Sequence, residues 1–271
     1  MLSVDLLPTV ESFFEPRLVL PEISSHKSVL CCSPAGDLAL DLSLHCQGVK
    51  YIYESLEHRA LFELKRSAFY DLKPTGRSTF LGFNPKGRRV FLFHQMKEKM
   101  PEEVQLWWLT REVLIRRGLI RSGRFDHIMN HWRRFCVFNF DRASFRQRLA
   151  FTALFRILKK FNSKIEIEQR FEAMSFERQK DWVEKGSTPA WVSATEPTHL
   201  VEPVTEGFGQ YDSAYLYTPS LDLLKRIEGQ IRPQGKIWCW SWIQPSENWS
   251  RVDDDCCSPL TPWLWFKVAG R

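Results

Sequence analysis

The chain of 271 residues contains no uninterrupted apolar run of about 18 residues, the length a helix needs to cross a bilayer, so membrane insertion is not expected. It has no CxxC pair. The seven cysteines are odd in number, and four of them form the neighbour pairs Cys31-Cys32 and Cys256-Cys257. A disulfide framework is therefore not expected, and a reducing compartment is. The first residues carry Asp5, Glu11 and Glu15 and no basic stretch, which argues against a secretory signal. The expected location is intracellular: cytoplasmic, with the nucleus open. No G-x-S-x-G elbow, no GxxxxGK[ST] loop and no GxGxxG turn occurs. The sequence thus lacks the local signatures of a serine hydrolase, a P-loop NTPase and a dinucleotide-binding enzyme.

What the chain does have is aromatic mass and a divided charge. It carries 20 Phe and 11 Trp, which suit a large core, a stacking surface for bases or a partner-binding patch. Residues 1–60 hold 4 basic and 8 acidic side chains, residues 61–160 hold 22 and 8, and residues 161–271 hold 12 and 16. Most of the positive charge therefore lies in the middle segment, where it would attract nucleic acid, acidic proteins or anionic lipid surfaces. Arg88, Arg89, Arg116, Arg117, Arg133, Arg134, Arg142 and Arg146 are the expected phosphate contacts. DNA or RNA is the expected partner, with a protein partner as the alternative.

The apolar patterning points to a mixed α/β or α+β protein. A mixed sheet is expected in the N-terminal part, helices in the basic middle and strands in the C-terminal part. Leu38–Leu44, Val49–Tyr53, Ala60–Leu64 and Arg89–Phe93 read as strands. Pro101 with Glu102 and Glu103 opens a helix that Gly118 stops. Asp141 and Ser163 with Glu166 mark two further helix starts. After Gly186 the prolines at 189, 197, 203 and 219 cut the chain into short pieces. Strands are expected near Leu200–Val204, Ala214–Tyr217 and Lys236–Ile243, with a short helix over Ser220–Gly229. The last strand would place Trp238, Trp240 and Trp242 on one face. A soft boundary near residue 186 divides a domain over 1–186 from a Trp-rich region over 187–271.

One constellation carries chemistry. Asp37 and Asp41 lie on an apolar run, and Leu61-Phe62-Glu63-Leu64-Lys65 follows. On a strand, Glu63 and Lys65 share a face. Two carboxylates from neighbouring strands could hold a hard divalent cation. This pattern, over about residues 37–95, resembles the core of the PD-(D/E)xK restriction-like nucleases. The resemblance implies that Asp41 and Glu63 ligate Mg²⁺ and that Lys65 assists phosphodiester hydrolysis, with Glu11 or Glu15 as a further acid. Two departures stand out: Asp41 follows Leu40 rather than Pro, and Pro34 lies three residues before Asp37.

His127 and His131 with Cys136 offer zinc-like spacing without a fourth ligand, and read more simply as ordinary histidines. Trp107-Trp108 and Trp132-Arg133-Arg134-Phe135 set rings beside guanidinium groups, as single-stranded nucleic acid would need, although helical tryptophans are usually core. Two functions are thus expected: a metal-dependent endonuclease, or a non-enzymatic accessory protein of viral or mobile-element type that binds nucleic acid or a host protein.

Overall fold

A computed structural model of the chain describes residues 28–33, 35–84, 87–121, 189–195, 199–204, 209–217, 219–241, 244–252 and 263–270. Its centre is a seven-stranded sheet. In chain order the elements are β1 (Ser28–Cys32), α1 (Asp37–Leu42), β2 (Gly48–Ile52), α2 (Leu56–Asp71), α3 (Pro74–Leu81), α4 (Arg89–Met96), α5 (Glu102–Leu109) and α6 (Glu112–Arg117). After them come α7 (Ala190–Ser193), β3 (Val201–Pro203), β4 (Tyr211–Tyr217), α8 (Leu221–Glu228), β5 (Ile231–Ser241), β6 (Ser250–Arg251) and β7 (Trp263–Val268).

The spatial order of strands is β3-β2-β1-β4-β5-β7-β6. The first five run parallel, and β7 is antiparallel to both of its neighbours. Side chains alternate between two buried layers, as the strand period requires. Val29, Cys31, Tyr51, Tyr215, Trp238 and Trp240 join the core containing α1, α2 and α3. Leu30, Cys32, Ala214, Leu216, Ile237 and Cys239 face the layer that holds Leu223, Leu224 and Ile227 of α8. Helices thus cover both faces, and the architecture is α/β with a mixed sheet. Trp238 and Trp240 share a face as expected; Trp242 lies outside the described residues. The sheet takes strands from both sides of residue 186, β1 pairing with β4 and β2 with β3, so the boundary expected there runs through one sheet rather than between two domains.

Three expected strands are helices. Leu38–Leu44 falls largely in α1, Ala60–Leu64 in α2 and Arg89–Phe93 in α4. Every residue of α1 is buried, so the helix shows no polar stripe, and an unbroken apolar run does not distinguish a buried helix from a strand. In α2 the cap was the stronger signal: the Ser55 hydroxyl accepts from the His58 N–H at 3.2 Å. The expectations at Val49–Tyr53, Leu200–Val204 and Ala214–Tyr217 overlap β2, β3 and β4, and the strand expected over Lys236–Ile243 overlaps β5 as far as Ser241, residues 242 and 243 lying outside the described residues.

Gly36 joins β1 to α1 with φ +76°, and a Cβ there would stand 3.2 Å from Cα, Cβ and Cδ2 of Phe62. Phe62 cannot yield, because it is buried and stacked on Tyr51 with ring centroids 3.8 Å apart. Gly36→Ala combines a left-handed backbone with overpacking and is expected to cost about 3 kcal/mol, measured as a lower midpoint in urea with an unchanged slope.

Candidate functional site

In a doubly wound sheet, ligands bind outside the carboxyl ends of the strands where the connections diverge. Here the chain moves outward from β1 to β2 and β3 on one side and from β4 to β5 on the other, so the divergence lies between β1 and β4. The carboxyl ends of these strands are bordered by the turn after β1, the end of β2 and the start of α8, and that is where the rule places a crevice. Glu54, two residues beyond β2, is exposed, and its Oε1 accepts the Ser220 N–H at 3.1 Å. Ser220 caps α8, its hydroxyl accepting the Leu223 N–H at 3.3 Å. Since β1 separates β2 from β4, the Glu54–Ser220 contact spans the divergence point.

The turn after β1 is built for contact with protein rather than with phosphate. The Gly36 N–H is spent on the Ser33 carbonyl at 3.1 Å. That carbonyl also accepts the Tyr51 hydroxyl at 2.5 Å. Pro34 has no N–H to offer. Cys32 ends β1 beneath the crevice, and its thiol is held far above the ordinary value, first by burial and then by the Glu54 carboxylate, so it is not a nucleophile. His58 is half-buried at the start of α2; burial lowers its pKa against the opposing pull of Glu54 and Glu57.

Asp41, Glu63 and Lys65 take up a different arrangement from the one their spacing suggested. They sit on α1 and α2, not on strands, and none is more than 5% exposed. Lys65 Nζ lies 2.8 Å from both Asp37 carboxylate oxygens and 2.8 Å from the Ala35 carbonyl. Asp37 Oδ1 also accepts the Trp191 indole N–H at 3.0 Å. Asp41 Oδ1 accepts the Trp191 backbone N–H at 2.8 Å, and burial pushes its carboxyl up to about 8, against that hydrogen bond. Glu63 Oε2 accepts from Arg66 Nε at 2.9 Å, while its Oε1 is buried without a hydrogen-bond partner.

A Mg²⁺ site requires ionised oxygens converging where substrate can reach. Asp41 Oδ1 is taken up by the Trp191 N–H, Glu63 is tied to Arg66 and Lys65 is bound by Asp37, all in the core, so these side chains do not converge on an open position for the ion. Among the described residues no group of three His, Cys, Asp or Glu side chains is placed to hold a metal.

The network instead fastens α7 to the sheet layer. Asp41 receives the N–H at one end of that short helix. At the other end Arg77, fully buried, donates from Nη1 to the carbonyls of Trp191 at 2.9 Å and Ala194 at 2.5 Å. An acid at the helix start and a cation at its end complement the unpaired backbone groups there.

The basic middle segment is partly internal. Besides Lys65 and Arg77, Arg89 donates to the carbonyls of Thr79, Asn84 and Arg116. Arg88, Arg116 and Arg117 are exposed, with Arg116 paired to Glu112 at 2.9 Å. Arg133, Arg134, Arg142 and Arg146 lie outside the described residues, as do the histidine pair, Cys136 and the helices expected after Asp141 and Ser163. Trp108 is core, its indole N–H donating to the Ala60 carbonyl at 2.8 Å, and Trp107 is half-buried under Arg111. No helix among the described residues is long and apolar enough to cross a membrane.

Comparison of the chain with protein-family models, curated proteins and solved structures finds no match. Sequence reasoning passed over Glu54. Its signal was an acidic residue closing an apolar strand, eighteen positions after the glycine that ends the preceding βα turn.

Proposed function

We infer that the chain binds a nucleoside cosubstrate in the crevice between β1 and β4, with the ribose hydroxyls donating to Glu54. The observation that carries this reading is the placement of Glu54: an acceptor-only carboxylate at the end of the second strand, directly above the divergence of a doubly wound sheet.

The turn chemistry narrows the ligand. A pyrophosphate would need free N–H groups and a helix N-terminus. At Gly36 the N–H is already spent on the Ser33 carbonyl, and the first residue of α1 is the buried acid Asp37. The Lys65 ammonium, which donates to the Ala35 carbonyl of this turn, is bound by Asp37. The ligand is therefore a nucleoside without phosphates, and the exposed Glu54 carboxylate suits one bearing positive charge, such as the sulfonium nucleoside S-adenosylmethionine. A sulfonium carries its own leaving group, so the reaction class is transfer of a carbon group to a nucleophile.

The reading is tested by titrating the chain with S-adenosylmethionine, S-adenosylhomocysteine, NAD and ATP. The sulfonium nucleoside and its thioether product are expected to bind more tightly than either phosphorylated compound. Glu54→Ala should weaken them roughly 10–100-fold, the worth of hydrogen bonds to a charged acceptor. Unchanged affinity in that variant, or preference for NAD or ATP, overturns the assignment. Mg²⁺-dependent cleavage of plasmid DNA or single-stranded RNA, lost in Glu63→Gln with binding retained, would favour the endonuclease.

A further inference from the structure

The Glu54–Ser220 hydrogen bond crosses the middle of the parallel region. Cys32, the last residue of β1, lies between Ile52 of β2 and Leu216 of β4, so those two strands stand roughly 10 Å apart there. Glu54 follows Ile52 by two residues and Ser220 follows Leu216 by four, and the 3.1 Å contact from the Ser220 N–H to Oε1 closes the interval. The Cys32 thiol agrees with this placement: burial raises its pKa first and the Glu54 carboxylate raises it further, so that carboxylate stands close to the end of β1.

The two ends of the contact differ in freedom. Ser220 is held by α8, whose Leu223, Leu224 and Ile227 are buried against the sheet and whose first turn the Ser220 hydroxyl caps at 3.3 Å. Pro219 before it has a fixed φ. Glu54 is exposed on a long, rotamer-rich side chain, and among the described residues the Ser220 N–H is the only hydrogen-bond donor to its carboxylate. The rigid partner therefore sets the orientation of the free one. A carboxylate offers about four lone-pair sites on two oxygens, and the N–H takes one, so enough remain for two hydroxyl donors.

We propose that Ser220 is a positioning residue for the nucleoside site, its backbone N–H fixing Oε1 of Glu54 so that the carboxylate is already oriented to accept both ribose hydroxyls. The proposal rests on Glu54 being the ribose acceptor and adds the group that holds it. Fixing a rotamer-rich side chain before the ligand arrives removes part of the ordering cost of binding.

The test is titration of the full chain with S-adenosylmethionine and S-adenosylhomocysteine in a set of variants. Ser220→Pro deletes the N–H and the hydroxyl, and the native φ of −65° at this position suits proline. Ser220→Ala deletes the hydroxyl cap and keeps the N–H. The proline variant is expected to bind both ligands roughly 3–10-fold more weakly than the alanine variant, the worth of one side chain ordered in advance. In the Glu54→Ala background the same exchange should change affinity by less than about 2-fold, a non-additivity that a merely structural role would not produce. Hydrogen exchange of the Ser220 amide follows the contact with no substitution at that residue: it should be faster in Glu54→Ala than in the native chain, and should stay slow when the ligand is bound. Equal affinity of the proline and alanine variants, tighter binding by proline, an equal loss in the Glu54→Ala background, or faster amide exchange in the native complex each overturns the proposal while leaving Glu54 as the ribose acceptor. Native affinity in Glu54→Ala overturns the ribose assignment itself, and the proposal with it.

Discussion

Lys65→Met is expected to lower the midpoint of thermal unfolding by roughly 10 °C. Lys65 and Asp37 form an ion pair with side chains 3% and 2% exposed. Removing the ammonium takes the counter-charge from the buried Asp37 carboxylate, which still accepts the Trp191 indole N–H. Breaking a buried pair from one side costs about 3–5 kcal/mol, because the surviving charge keeps its desolvation penalty and loses its compensation. In a chain of this size that is several degrees per step of stability. Asp37→Asn in the same chain removes the stranded charge while keeping an oxygen for Trp191, so the double variant should recover a large part of the loss. A single variant as stable as the native chain, or a double variant no better than the single, would count against the ion pair as the source.

The same residue shows how a structural role can pass for a catalytic one. A Lys65 variant that fails to cleave nucleic acid is informative only if its melting curve is native, because loss of the fold silences any site. The ExK spacing gave no warning of this. Glu63 and Lys65 were expected to share a strand face; on a helix they point in different directions, Glu63 to Arg66 on its own helix and Lys65 to Asp37 on α1.

Much of the architecture was legible where the local chemistry was unambiguous. Pro101 with two glutamates did open α5 and Gly118 with φ +95° did end α6, although the single helix expected between them breaks at Thr110 and Arg111, and the short helix expected over Ser220–Gly229 is α8. The mixed α/β class followed from alternating strands near 49–53, 200–204, 214–217 and 236–243. What stayed hidden lies at the centre. The segment 28–32 is the middle strand of the parallel region, yet with two cysteines among its five residues it invited a reading about thiols. All of α1 and much of α2 are buried, and burial on every side erases the periodicity that identifies a helix. The crevice was hidden for a chemical reason. Its turn lacks the glycines that pyrophosphate requires, so a motif search tuned to phosphate passes over it, and Glu54 is a single carboxylate with no motif around it.

Asp41→Asn is expected to change the pH dependence of stability in a direction that burial fixes. In the unfolded chain this carboxyl titrates near its ordinary 3.8, whereas in the fold it is pushed up to about 8, chiefly by burial and in part by the Asp37 charge. The folded state therefore keeps a proton that the unfolded state has released throughout that interval. Stability falls wherever the native state binds more protons, so the Asp41 contribution declines as pH rises from about 4 and is fully lost above about 8. Asparagine retains an oxygen for the Trp191 N–H and cannot ionise. The variant's stability relative to the native chain should thus improve steadily between pH 5 and pH 8, the difference reaching a few kcal/mol. It should then level off once both forms of the native chain are ionised. Denaturant midpoints measured across that range decide the matter: converging or crossing curves support a neutral Asp41 in the fold, and parallel curves mean that the carboxylate is already charged where it sits, with the Trp191 and Ala190 N–H groups sustaining the charge against burial.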